Sequence, residues 1–156
     1  MGCLSQLKKC GNPDLSKWLE TCQGRCKDLK GKCRRRRHRY CSIQIDGCIE
    51  EVFEEFRDLK KADCLLLTDD CRLLIVEVKS TYYDVNEVIE QFQNVVKLLE
   101  RLECHLDLVP VLYAKSHDSR QLIILRRNRV RYKGENLEVV TANWCSDVVE
   151  AVMMEQ

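Results

Sequence analysis

Apolar positions along this chain recur with two different periods, and the places where one gives way to the other mark out its elements. Ile49, Val52, Phe53 and Phe56 repeat at three- and four-residue spacing among Glu50, Glu51, Glu54 and Glu55, which predicts an amphipathic helix capped by Asp46. Ala62 to Leu67 and Leu73 to Val78 are short apolar runs separated by Thr68-Asp69-Asp70, a set of turn residues, so a β-hairpin is expected there. In its second strand, period two puts Ile75, Glu77 and Lys79 on one face and Leu74, Val76 and Val78 on the other. Asp84 then caps a long helix with the stripe Val85, Val88, Ile89, Phe92, Val95, Val96, Leu99 and Leu102. Leu106 to Ala114 reads as a buried strand. Its Pro110 prefers an edge or a bulge. A helix between two strands makes their parallel pairing the expectation.

Elsewhere the pattern is less decisive. Pro13 or Asp14 opens a short helix through Leu15, Trp18, Leu19 and Cys22, ending near Gly24 or running on towards Gly31. Tyr40 to Ile45 alternates and fits a strand or a linker. Residues 119–133 fit a helix or two strands with a turn at Asn128. Leu137 to Thr141 reads as a strand and Ser146 to Met154 as a closing helix. The expected architecture is an α/β domain over 41–156 with a central mixed sheet flanked by helices, preceded by an extension over 1–40.

The candidate chemistry sits on the hairpin. Glu77 and Lys79 follow the apolar run Leu73-Leu74-Ile75-Val76, as in a strand buried on both faces, where charges are costly unless they are used. Thirteen residues, 64–76, separate Asp63 from Glu77, which suits a short hairpin with both acids at one end. Two carboxylates held close repel one another unless a divalent cation lies between them, and hard oxygen donors suit Mg²⁺ or Mn²⁺. Lys79 would then face the attacking water or a phosphate. The same residues also fit an ordinary solvated strand face, with Asp63 as a strand cap.

Asp63, Glu77-Val78-Lys79 and the long helix straight after them resemble the PD-(D/E)XK nuclease superfamily, which holds type II restriction enzymes, archaeal Holliday-junction resolvases and RecB-like exonucleases. The resemblance spans roughly residues 50–113. Ala62 stands where the family usually has proline, and Gln91-Phe92-Gln93-Asn94 lacks the tyrosine that RecB-like members usually place four residues on. The resemblance implies a restriction-endonuclease-like fold and metal-dependent hydrolysis of DNA, with DNA favoured over RNA. Asp63, Glu77 and the Val78 backbone carbonyl would hold Mg²⁺ or Mn²⁺, and Lys79 would act in catalysis. It further implies a metal-shell carboxylate from the helix after Asp46, with Glu50, Glu51 and Glu54 as candidates, and an accessory role for Gln91. Members that bind nucleic acid without cutting it supply a second reading. A third is a cysteine-rich, zinc-binding interaction protein.

Charge changes this picture more than net charge does. The chain is at +1 overall, yet residues 1–40 hold twelve Lys or Arg against three acids, and the remainder holds fourteen against twenty-two. Arg34, Arg35, Arg36, Arg37 and Arg39 form one basic block. Arg126, Arg127 and Arg129 belong to a second, from Lys115 to Lys133, with Asp118 as its one acid. Basic segments around an acidic centre suit a metal-dependent enzyme acting on a polyphosphate, and both blocks are candidate nucleic-acid contacts. No glycine-rich phosphate loop or Ser-His-Asp spacing occurs, and His38, His105 and His117 match no metal pattern. No run approaches about 18 apolar residues and no signal-peptide pattern is present. The expected location is therefore the cytoplasm, beside the nucleoid if the source is prokaryotic, with no membrane partner and with a homodimer left open.

Eleven cysteines are many for such a protein, and seven precede Ile49. Cys22, Cys26, Cys33 and Cys41 have spacings that admit a tetrathiolate zinc site, although paired CxxC knuckles are missing. Disulfides of the kind found inside hyperthermophiles are a second possibility, and plain reduced thiols a third.

Overall fold

The structure, a computed structural model, describes residues 7, 13–24, 26, 40–101, 107–144 and 148–154. A five-stranded mixed sheet lies at its centre, in the order β1 (Tyr40–Gln44), β2 (Cys64–Thr68), β3 (Arg72–Lys79), β4 (Asp107–Ala114) and β7 (Val140–Asn143). The first three strands form an antiparallel meander. The helix α2 (Val85–Arg101) carries the chain from β3 to β4, and β3, β4 and β7 all run parallel. The α/β class, the mixed sheet and its flanking helices are thus as the residue pattern indicates.

Alternation along β3 divides the core. Leu65, Leu67, Leu73 and Ile75 meet Val88, Phe92, Val95 and Val96 of α2 on one side of the sheet. Leu66, Leu74, Val76, Val111 and Tyr113 meet Val148, Val149 and Val152 of α4 (Val148–Met154) on the other. Leu74, Ile75 and Val76 are fully buried, and each such side chain contributes about 1.5–3 kcal/mol. That apolar anchoring lets β3 hold Glu77 below the surface.

Pro110 lies inside this sheet, paired with Ile75 of β3. Pairing between β4 and β7 begins only at Val111, so β4 is still an edge on that side at the proline, which is where the missing N–H is tolerated. The ambiguous stretch 119–133 turns out to be helix and then strand. α3 (Ser119–Arg127) opens on Asp118, whose carboxylate accepts the Arg120 N–H, and β5 (Val130–Tyr132) pairs with β6 (Glu135–Leu137) across a Lys133-Gly134 turn with both φ positive.

One expectation needs correction. The amphipathic segment after Asp46 is not one helix but two 3₁₀ turns, Ile49–Glu51 and Glu54–Phe56, broken by an extended Phe53 at φ −119°, ψ 90°. Its apolar spacing still serves the core, since Ile49, Phe53 and Phe56 are all buried. The described part of the 1–40 extension packs into the core of the domain. α1 (Pro13–Cys22) buries Leu15, Trp18 and Leu19 in the cluster that holds Ile43 and Ile45, and the Trp18 indole N–H donates to the Gln44 carbonyl. Disulfides Cys22–Cys48 and Cys26–Cys64 fasten the same segment covalently to the domain.

Candidate functional site

Asp63 lies one residue before the Cys64–Val76 pair that opens the β2–β3 ladder, which sets it beside Glu77. Its backbone is fixed from both sides. The Asp63 N–H donates to Val76 O at 3.0 Å, and the Asp63 carbonyl accepts from the N–H groups of Ile45 and Asp46 at 2.9 and 3.2 Å. Its side chain is fixed too, because Oδ2 accepts the Val78 N–H at 2.7 Å. Val78 therefore meets the site through its N–H.

Glu77 is the unusual member of the group. It is 2% exposed, and its Oε2 has no hydrogen-bond partner. Burial first, and then the neighbouring Asp63 carboxylate together with the hydrogen bond they share, pushes the Glu77 carboxyl up to about 10, while Lys79 pulls the other way. Burial beside a second acid thus favours the protonated form of this carboxyl. Lys79 Nζ lies 3.8 Å from Glu77 Oε1 and 4.0 Å from Glu87 Oε1 on the first turn of α2. The sheet thus brings Asp63, Glu77 and Lys79 together at one strand end.

Gln91, on the buried face of α2, approaches the segment that precedes Asp63. Its Nε2 donates to the Lys61 carbonyl at 3.4 Å, and its Oε1 is buried without a partner. Of the glutamates considered as a further metal-shell ligand, Glu54 pairs with Arg57 at the surface, Glu51 is exposed, and Glu50 binds Lys61 Nζ at 2.6 Å. Asp46 is the acid that sequence reasoning missed. It was read as a helix cap, yet its charge acts on Glu77 and its carboxylate lies 3.8 Å from Lys61 Nζ. An acid just after β1 at the sheet end that holds Asp63 is the signal that pointed to it.

Among the described residues no group of three or more His, Cys, Asp or Glu is arranged to hold a metal ion. Arg34 to Arg37, Arg39 and Cys33 lie outside the described residues. Cys22 and Cys26 have their sulfurs in disulfides with Cys48 and Cys64, partners that lay outside the proposed tetrathiolate set, and Cys41 is half-buried on β1. Arg126 and Arg127 are exposed at the end of α3, and Arg129 just beyond it pairs with Glu138 at 3.3 Å. No described helix is long and apolar enough to cross a membrane.

Comparison with known proteins returns no family model, no curated protein and no solved structure that matches this chain.

Proposed function

We propose that the protein is a metal-dependent nuclease that hydrolyses phosphodiester bonds, in DNA before RNA, with Asp63, Glu77 and Lys79 at its centre. The observation that carries this reading is Glu77, a carboxyl buried beside a second acid and next to a lysine, with one oxygen lacking any partner. Leaving a buried polar atom unsatisfied costs about 1–3 kcal/mol, a burden that fits an atom kept for a ligand.

The donor chemistry fits Mg²⁺ or Mn²⁺. Two carboxyl groups, one with a vacant oxygen, are hard donors once ionised, and the buried Gln91 Oε1 is a further unpartnered oxygen on α2. Asp63 and Glu77 would hold the cation. When bound, it would supply an acidified water and neutralise phosphate charge. The chain's own contribution follows from its geometry. Asp63 is oriented by the Val78 N–H, and Glu77 must release its proton before it can act as a full ligand. Lys79, partly exposed between Glu77 and Glu87, can donate to a phosphate oxygen and stabilise charge that grows in the transition state.

That no three His, Cys, Asp or Glu among the described residues are arranged to hold a metal favours one other reading, a nucleic-acid-binding protein on the same fold that does not cut. Incubation of plasmid, linear and branched DNA with Mg²⁺ separates the two. Cleavage that vanishes with chelator and in Lys79→Ala supports the nuclease, and tight binding with no cleavage under any of these metals supports the other.

A further inference from the structure

Two neighbouring clefts lie at the ends of β4 and β7, against α3. One, of about 440 Å³, is lined by Lys115, Ser116, His117, Leu122, Thr141 and Asn143 among others. The second, of about 260 Å³, is lined by Leu122, Leu125, Arg126, Arg129, Glu138 and Thr141 among others. Leu122 and Thr141 line both, so the two clefts adjoin at these side chains and make a basic groove running beside α3 and the Glu138-to-Asn143 segment.

Its position ties it to the acids. Lys115, at the head of the groove, donates its N–H to the Lys79 carbonyl at 3.3 Å. The wall there is stiff. His117 Nε2 donates to the Ala142 carbonyl at 3.0 Å, which leaves Nδ1 to accept from the Tyr83 hydroxyl at 3.1 Å, and the Tyr83 ring packs edge-on against the imidazole. Along its length the groove presents Lys115, Arg126 and Arg129 against Glu138 alone. Glu138 is taken up by Arg129, whereas no carboxylate of the described residues pairs with Lys115 or Arg126.

We infer that this groove is the track for a single strand of nucleic acid passing to or from the Asp63–Glu77–Lys79 centre, an inference that rests on the nuclease reading and narrows its substrate to unpaired strands. The larger cleft has the size of a small-molecule site, and Leu122, Leu125 and Val139 give apolar surface for sugars and base faces between the cations. A duplex fits badly, because clefts of about 440 and 260 Å³ are too small to take in its full width.

The test measures binding of a fluorescein-labelled strand of about 15 thymidines, and of a duplex of the same length, in chelator across a salt series. Lys115→Ala/Arg126→Ala, both at exposed positions, should weaken the single strand by roughly tenfold or more and lower its salt slope by about 1.4, with much less change on the duplex. Glu138→Gln should tighten the single strand. Unchanged single-strand binding in the double variant, or an equal loss on both probes, overturns the proposal. Cleavage in Mg²⁺ is scored separately: a chain that binds through the groove without cutting retires the nuclease and keeps the track, and one that cuts with no effect of the double variant keeps the nuclease and retires the track.

Discussion

Lys61 and Glu77 are both ionisable side chains set into the core at the same end of the sheet, and they are treated in opposite ways. Lys61 Nζ is saturated: it meets Glu50 at 2.6 Å and Asp46 at 3.8 Å and donates to the Phe56 and Leu59 carbonyls at 2.6 and 3.2 Å. Glu77 has a lysine at 3.8 Å, a second acid beside it and an orphan oxygen. A buried charge that serves only the fold is paired and hydrogen-bonded, because anything less costs several kcal/mol. The deficit at Glu77 is what the proposed site rests on. Each cluster is also stapled from behind, since Cys48 lies between Asp46 and Glu50 and Cys64 follows Asp63.

The largest expected effect comes from removing both staples. Cys22–Cys48 and Cys26–Cys64 close separations of 26 and 38 residues, which the chain-entropy model values at about 3.5–4 kcal/mol each. Reductant should therefore lower the melting temperature steeply while a chelator of zinc leaves it in place. A melting temperature that follows the chelator and ignores the reductant would remove the disulfides from the account.

Lys61→Met comes next. Breaking a buried ion pair from one side costs about 3–5 kcal/mol, so thermal denaturation should shift down by roughly 6–20 °C. The rate per folded molecule should stay near wild type. If the variant melts normally, Lys61 is not the structural member of the comparison.

Lys79→Ala tests the other member. Loss of one transition-state donor should slow Mg²⁺-dependent cleavage by about 10²–10³-fold, with the melting temperature and DNA binding little changed. Wild-type cleavage by this variant would end the catalytic assignment.

The contrast between these clusters was only half legible in the residues. Period-two alternation in Leu73–Lys79 and the stripe of α2 place Glu77 and Lys79 on the face towards α2, because a strand and a helix this apolar have one way to bury themselves. The turn acids and thirteen-residue spacing likewise bring Asp63 to Glu77. Lys61 was invisible, since its partners are backbone carbonyls and acids of a segment that reads as a helix and folds as 3₁₀ turns. Three- and four-residue apolar spacing fits both forms. What decides between them is nonlocal: Cys48 bonded to Cys22, Gly47 at φ +82°, and Lys61 drawing in the Phe56 carbonyl. Cysteine connectivity was closed to sequence for the same reason, as spacing cannot tell which pair meets in space.

Glu77→Gln gives the sharpest reading of the comparison. In the folded chain the Glu77 carboxyl is raised to about 10 from the usual 4.5 by burial and by Asp63, so between those values the native state binds more protons here than the unfolded state does. Stability from this group is therefore complete below about pH 4.5 and drains away as pH rises towards 10. Glutamine fills the same space and cannot ionise. The variant should match wild type in acid, exceed it increasingly at alkaline pH, and lose metal-dependent cleavage. Wild type itself should release a proton on binding Mg²⁺ at neutral pH and bind it more tightly as pH rises, because the cation needs the ionised carboxylate. Calorimetry in buffers of different ionisation enthalpy reads that proton directly. Binding of Mg²⁺ with no proton released, together with an unaltered pH–stability curve in Glu77→Gln, would show that Glu77 is already charged and paired, and the distinction from Lys61 would collapse.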